Sequence, residues 1–136
     1  MNTNQIFSEE CLRKCRQSAQ VAMASEVGLE AVVVATIDGF EIVSAVSGPA
    51  QPERIAALAS SIASIGSVAT QEAGLGHCSN MILNTERGFA VVRQFEIEKR
   101  EVVMIVVADG FGHLAQVMYR ANQLAKEFSA AGNSTF

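Results

Sequence analysis

Two stretches of the chain, Val32–Ile37 and Val102–Ala108, are almost continuously apolar and rich in β-branched residues. A strand of that kind has no wet side, so it belongs in the middle of a sheet covered on both faces. Phe40–Val46 alternates Phe40, Ile42, Ser44 and Val46 with Glu41, Val43 and Ala45, and the stretch around Arg93, Gln94 and Glu96 alternates as well. These read as strands with one wetter face. The other apolar residues recur at spacings of three and four. Leu12, Cys15, Ala19 and Ala22 or Met23 predict a helix over 8–25, with Ser8 as its N-cap and Glu9 and Glu10 in its first turn. Ile55, Leu58, Ile62, Ile65 and Ala69 predict a second helix, started by Pro52 at its first helical position and stopped at Gly74 and Gly76. Leu114, Val117, Ala121, Leu124 and Phe128 predict a third.

The turns connect these elements. Asp38-Gly39 predicts a hairpin with a type I′ turn, in which both central residues take positive φ. Residues 85–88 and 98–101 predict the turns of a three-stranded meander. The order is then α-β-β-α-β-β-β-α. Pairing the two most apolar strands in the centre gives an α+β fold: a single five-stranded antiparallel sheet of order 2-1-5-4-3 with helices on both faces. Cys78–Asn84 forms one sheet edge and Phe40–Val46 the other. Residues 1–136 read as a single domain with a core over about 8–128 and a frayed tail over 129–136.

The second helix has a further feature. Opposite its Ile/Leu stripe lie Ala56, Ala59, Ser60, Ala63, Ser64, Ser67 and Thr70, all small and none charged. A solvated helix face carries Lys, Glu and Arg. With the Ile/Leu stripe turned to the sheet, the small face is expected to be covered by something else.

Composition narrows the function. Hydrophobic residues make up 49% of the chain and charged residues 18%, so it is globular rather than disordered. A net charge of −4, one Tyr, no Trp and no basic run exclude a phosphate-tracking or base-stacking surface, so no nucleic acid is expected as a partner. The N-terminus, MNTNQIFSEECLRK, lacks the basic-then-apolar order of a signal peptide, and no apolar run is long enough to span a bilayer. The expected location is cytoplasmic, without membrane insertion. Cys11, Cys15 and Cys78 are odd in number and have no CxxC spacing, so they read as reduced thiols.

Asp-Gly-Phe occurs twice, at Asp38–Phe40 and Asp109–Phe111. The first leads back into a strand and the second into a helix that Asp109 can cap, so the repeat reads as two strand exits rather than one site used twice. His77 and Cys78 are adjacent on an expected strand and point to opposite faces, which forbids a thiol–imidazole pair. His113 follows Gly112 at the start of the last helix, but Gly-x-Gly without Lys or Ser/Thr is no phosphate loop. Cys11 and Cys15 share a helix face without a further ligand, and core filling explains them better than a metal. No catalytic, cofactor or metal residue emerges, and the chain is not read as an enzyme.

The element order, the hairpin VVVATIDGFEIVSAVSG, the small-residue helix after Pro52 and the stretch NTERGFAVVRQF together resemble the roadblock/dynein light-chain family, including its free-standing bacterial members. The likeness covers about Leu29–Phe128 and contains no motif from which partner-contacting residues transfer. It implies a homodimer in which the second helices pack together and the third strands pair edge to edge. On this sequence the contact is expected at Ala56, Ala59, Ser60, Ala63 and Ser67 of the helix and at Cys78, Ser79, Asn80 and Met81 of the strand. The implied function is that of a non-enzymatic regulator or scaffold of a small Ras-like GTPase, acting by protein–protein interaction, with Arg54, Arg87 and Arg93 as candidate partner contacts. The alternatives are a PAS-like or profilin-like small-ligand sensor and an adaptor module of a motor or other complex.

Overall fold

The structure is a computed structural model that describes residues 6–133. Its elements are α1 (Glu9–Ser25), β1 (Leu29–Thr36), β2 (Glu41–Val46), α2 (Pro52–Glu72), β3 (Met81–Asn84), β4 (Gly88–Ile97), β5 (Arg100–Asp109) and α3 (Leu114–Asn133). The strands form one antiparallel sheet in the order β2-β1-β5-β4-β3, as the hydrophobic pattern predicts.

The two apolar stretches are the central pair, and they divide their side chains between two cores. Val32, Val34, Val102, Met104 and Val106 point to the face covered by α1 and α3. Ala31, Val33, Ala35, Val103 and Ile105 point to the face covered by α2. The period of two along each strand supplies both cores from the same residues, which is why neither strand has a polar alternation. α1 begins where expected: the Ser8 hydroxyl accepts from the Cys11 N–H at 3.2 Å, and Cys11, Leu12, Cys15, Ala19 and Ala22 are buried.

The turns depart from expectation. At the β1–β2 hairpin only Gly39 takes positive φ, at 94°, and Asp38 does not. The connection is a three-residue loop over residues 37–39: the Gly39 N–H donates to the Thr36 carbonyl at 2.9 Å, and the Phe40 N–H to the Thr36 hydroxyl at 3.1 Å. Further into the ladder the pairing slips between Val34 and Ala35, where Ile42 is an extra residue on β2. The two-residue turn with both φ values positive is instead at Glu98 (51°) and Lys99 (65°), between the paired Ile97 and Arg100. Tertiary packing accounts for the first change. α2 lies across the hairpin tip, with the Ser60 hydroxyl donating to the Ile37 carbonyl and Ala57 Cα only 3.2 Å from where a Gly39 side chain would begin.

Three further expectations are corrected. β3 starts at Met81, so His77, Cys78, Ser79 and Asn80 precede the strand instead of forming it. Asp109 does not cap α3: its carboxylate accepts from the Phe111 N–H at 2.8 Å and closes a turn in the preceding loop, while the helix opens with the Val117 N–H donating to the His113 carbonyl. α3 also continues past Phe128 to Asn133, because Ala131 still reaches the core and the Ser129 hydroxyl donates to the Glu96 carbonyl. Residues 134–136 of the tail lie outside the described residues.

Candidate functional site: the outer face of α2 and the β3 edge

A helix that crosses a sheet of β-branched residues comes close only if its inner face is small. In α2 that face is Ala56, Ala59, Ala63 and Gly66, and all of them are buried. Gly66 marks the closest approach, since a Cβ there would overlap the Met81 sulfur. The small face is therefore turned inward, onto Val33, Val92, Val103 and Ile105. This reverses the sequence expectation: Ala56, Ala59 and Ala63 are enclosed within one chain and have almost no surface left for a partner.

The Ile/Leu stripe takes the other side. Ile55 and Ile62 are half-buried at its margin, while Leu58, Ile65 and Val68 expose 57%, 67% and 60% of their surface. Leu75 extends the apolar surface past the end of the helix, where its N–H returns to the Thr70 carbonyl at 2.8 Å. On β3, Ile82 and Leu83 are exposed, and among the described residues the strand pairs only with β4, leaving its outer edge open. Large aliphatic side chains in solvent beside an unpaired strand edge form the kind of surface that proteins cover with another chain.

The remaining expected interface residues are dispersed. Ser60 is held by the hairpin tip, and the Ser67 hydroxyl approaches Gln94 Oε1 at 3.5 Å. Cys78 and Asn80 are half-buried, Ser79 is exposed, and Met81 fills the space left by Gly66. Nor do the candidate arginines converge. Arg54 is exposed on the first turn of α2 and Arg87 in the β3–β4 turn, whereas Arg93 pairs with Met104 in register and so lies on the opposite sheet face, its guanidinium donating to Asn80 Oδ1 at 3.3 Å.

Sequence reasoning missed Leu58, Ile65 and Val68 as surface residues. The available signal was Ala56-Ala59-Ala63-Gly66, a helical stripe as regular as the aliphatic one and better suited to close contact with a sheet.

Among the described residues, no group of three or more His, Cys, Asp or Glu side chains could hold a metal ion. No helix among them is long and apolar enough to cross a membrane. Burial pushes the Cys11 thiol up and the Cys15 thiol up to about 12. Both are enclosed by the α1–α3 core and serve as small apolar filler. In the folded protein, iodoacetamide is expected to alkylate Cys78 and to spare Cys11 and Cys15 until the chain unfolds; mass spectrometry after a native pulse checks this. Because the Cys15 thiol stays protonated in the fold above its ordinary value of 9.0, the unfolded state loses that proton first. Its contribution to stability is present below pH 9 and is lost as pH rises from there toward 12.

No protein-family model matches the sequence, and no curated protein sequence matches it either. Solved structures match its fold. A roadblock/LC7 domain from Streptomyces avermitilis superposes with a TM-score of 0.71 at 18% identity, covering 82% of this chain and 91% of that one. The chain has the roadblock/LC7 fold. A gliding protein, mglB, from Thermus thermophilus superposes with a TM-score of 0.80 at 10% identity, over 95% of this chain and 96% of its own. A structure described as MglB with tetrameric arrangement gives 0.81 at 12% identity, over 96% of both chains. Within the roadblock/LC7 fold of this chain, the outer α2 face and the β3 edge are thus surfaces that its own core leaves uncovered.

Proposed function

We propose that this chain is a single-domain, cytoplasmic member of the roadblock/LC7 family that forms a homodimer and acts, without catalysis of its own, as a regulator or scaffold of a small Ras-like GTPase. The observation that carries the reading is the apolar surface of Leu58, Ile65 and Val68 next to the open β3 edge, on a roadblock/LC7 fold. Two chains related by a two-fold axis bury that surface against its own copy and extend the sheet across the junction. The solved MglB structures of similar fold support a place in the same kind of system. The GTPase contact rests mainly on packing and hydrogen bonds, and because Arg54, Arg87 and Arg93 do not share a surface, each contributes separately.

The deciding experiment uses the purified chain and purified small Ras-like GTPases from the same organism, loaded with GTP or with GDP. Nucleotide-dependent binding by calorimetry is the expected result, together with a change in GTP hydrolysis or a change in where the GTPase is held. Equal absence of binding in both nucleotide states would remove the GTPase reading. Hydrolytic, transfer or redox turnover by the chain alone would remove the non-enzymatic one.

A further inference from the structure

The sheet face opposite α2 carries a second exposed cluster, which a dimer through α2 and β3 leaves in solvent. At the corner where α1 ends and α3 begins, Val27, Phe111 and Tyr119 expose 68%, 80% and 65% of their surface. The corner is fixed by backbone contact: the Asp109 N–H donates to the Gly28 carbonyl at 2.8 Å, and the Gly112 N–H to the Asp109 carbonyl at 3.1 Å. Between the end of α1 and the first turns of α3 runs a groove of about 520 Å³, whose lining includes Val27, Tyr119, Glu26 and Arg120.

Glu26 and Arg120 are the acid and the base of this groove, and they do not pair with each other. The ion pairs seen among the described residues join Glu10 to Arg13 and Lys14 on α1. Arg120 instead reaches the Gln123 side chain at 3.4 Å and the Ser25 hydroxyl at 3.5 Å, both long, and its Nε–H is buried without an acceptor. A half-buried guanidinium with only neutral, distant acceptors is electrostatically incomplete, and a carboxylate is its natural complement.

We propose that this corner is a second self-association surface, on which two copies of the chain meet about a two-fold axis with Arg120 of each facing Glu26 of the other and with Val27, Phe111 and Tyr119 packed between them. Charge complementarity selects the occupant. The groove presents one charge of each sign, so an acidic segment would meet Glu26 and a basic one Arg120, whereas a second copy rotated by the two-fold satisfies both at once. The surface is separate from the α2 face, so its use raises the mass beyond a dimer.

The test runs in wild type and in Ile65→Arg, which silences the α2 face and so separates the two interfaces. Sedimentation velocity at tens of micromolar is expected to show wild type exceeding dimer mass and Ile65→Arg still associating to dimers. Adding Glu26→Lys or Arg120→Glu weakens that residual association about tenfold or more. Mixing the two singly reversed proteins restores it, because each copy then meets an opposite charge at both contacts across the axis; a pair within one chain cannot respond to mixing. Phe111→Ser, with unchanged circular dichroism, gives the same loss through the apolar part. A wild type that never exceeds a dimer, together with a monomeric Ile65→Arg, overturns the proposal, as does a mixture that stays dissociated. Loss of GTPase binding in Arg120→Glu at unchanged self-association would assign the corner to a different occupant and likewise overturn it.

Discussion

Ile65→Arg is expected to leave the domain folded and to abolish self-association through α2, whereas Ala59→Arg is expected to unfold it. The two positions lie on opposite sides of one helix. Ala59 has no exposed surface and sits in the cluster that includes Val33, Val103 and Ile105, an apolar layer with no buried charge among the described residues. An arginine there either buries an unpaired cation or forces α2 off the sheet. The cost of an uncompensated buried charge is about 3–5 kcal/mol, a large part of the roughly 5–15 kcal/mol that holds a domain of this size together. At Ile65, 67% of the residue is already in water, so the guanidinium extends into solvent and the fold is indifferent to it. In the proposed dimer, however, the substitution places two cations where two aliphatic side chains would meet across the two-fold axis. Urea denaturation and sedimentation equilibrium on the two variants separate the effects. Ala63→Arg, at a site only 6% exposed on the same inner face, is expected to unfold the domain as Ala59→Arg does. An Ile65→Arg protein that associates as tightly as wild type would remove the α2 interface.

Phe128→Ala is expected to cost about 3–5 kcal/mol, the range for deleting a fully buried aromatic side chain with its cavity. Phe128 has no exposed surface, and its ring stacks on Phe95 with centroids 6.1 Å apart and planes 28° from parallel. It joins α3 to β4 near the far end of the helix and also lies against α1, where the Cys15 sulfur approaches its carbonyl at 4.0 Å. The midpoint of urea unfolding is expected to fall, and Cys15 to become open to alkylation under native conditions as the helices separate more often. Stability reduced by less than about 1 kcal/mol, with Cys15 still protected, would show that α3 is anchored elsewhere.

The architecture of this protein is legible in its hydrophobic pattern alone. The runs Val32–Ile37 and Val102–Ala108, apolar but for Thr36, have no polar alternation, so they had to be central and covered on both sides, and from that the strand order follows. Ser8 before Glu9 and Glu10 fixed the start of α1, because an N-cap acts on donors within one turn. Whatever depends on how closely elements approach was settled only by packing. α2 carries two regular apolar stripes, one aliphatic and one of Ala and Gly, and periodicity cannot rank them. The sheet does: its β-branched surface, with Met81 beneath Gly66, leaves room only for the small stripe and so turns Leu58, Ile65 and Val68 outward. The same holds for the turns, where α2 packed on the hairpin tip and gave Asp38-Gly39 a three-residue loop, while Glu98-Lys99, without a glycine, took the tight turn set by the pairing of Ile97 with Arg100. Local preferences there are worth about 1–2 kcal/mol per residue, less than the strand pairing and helix packing that override them.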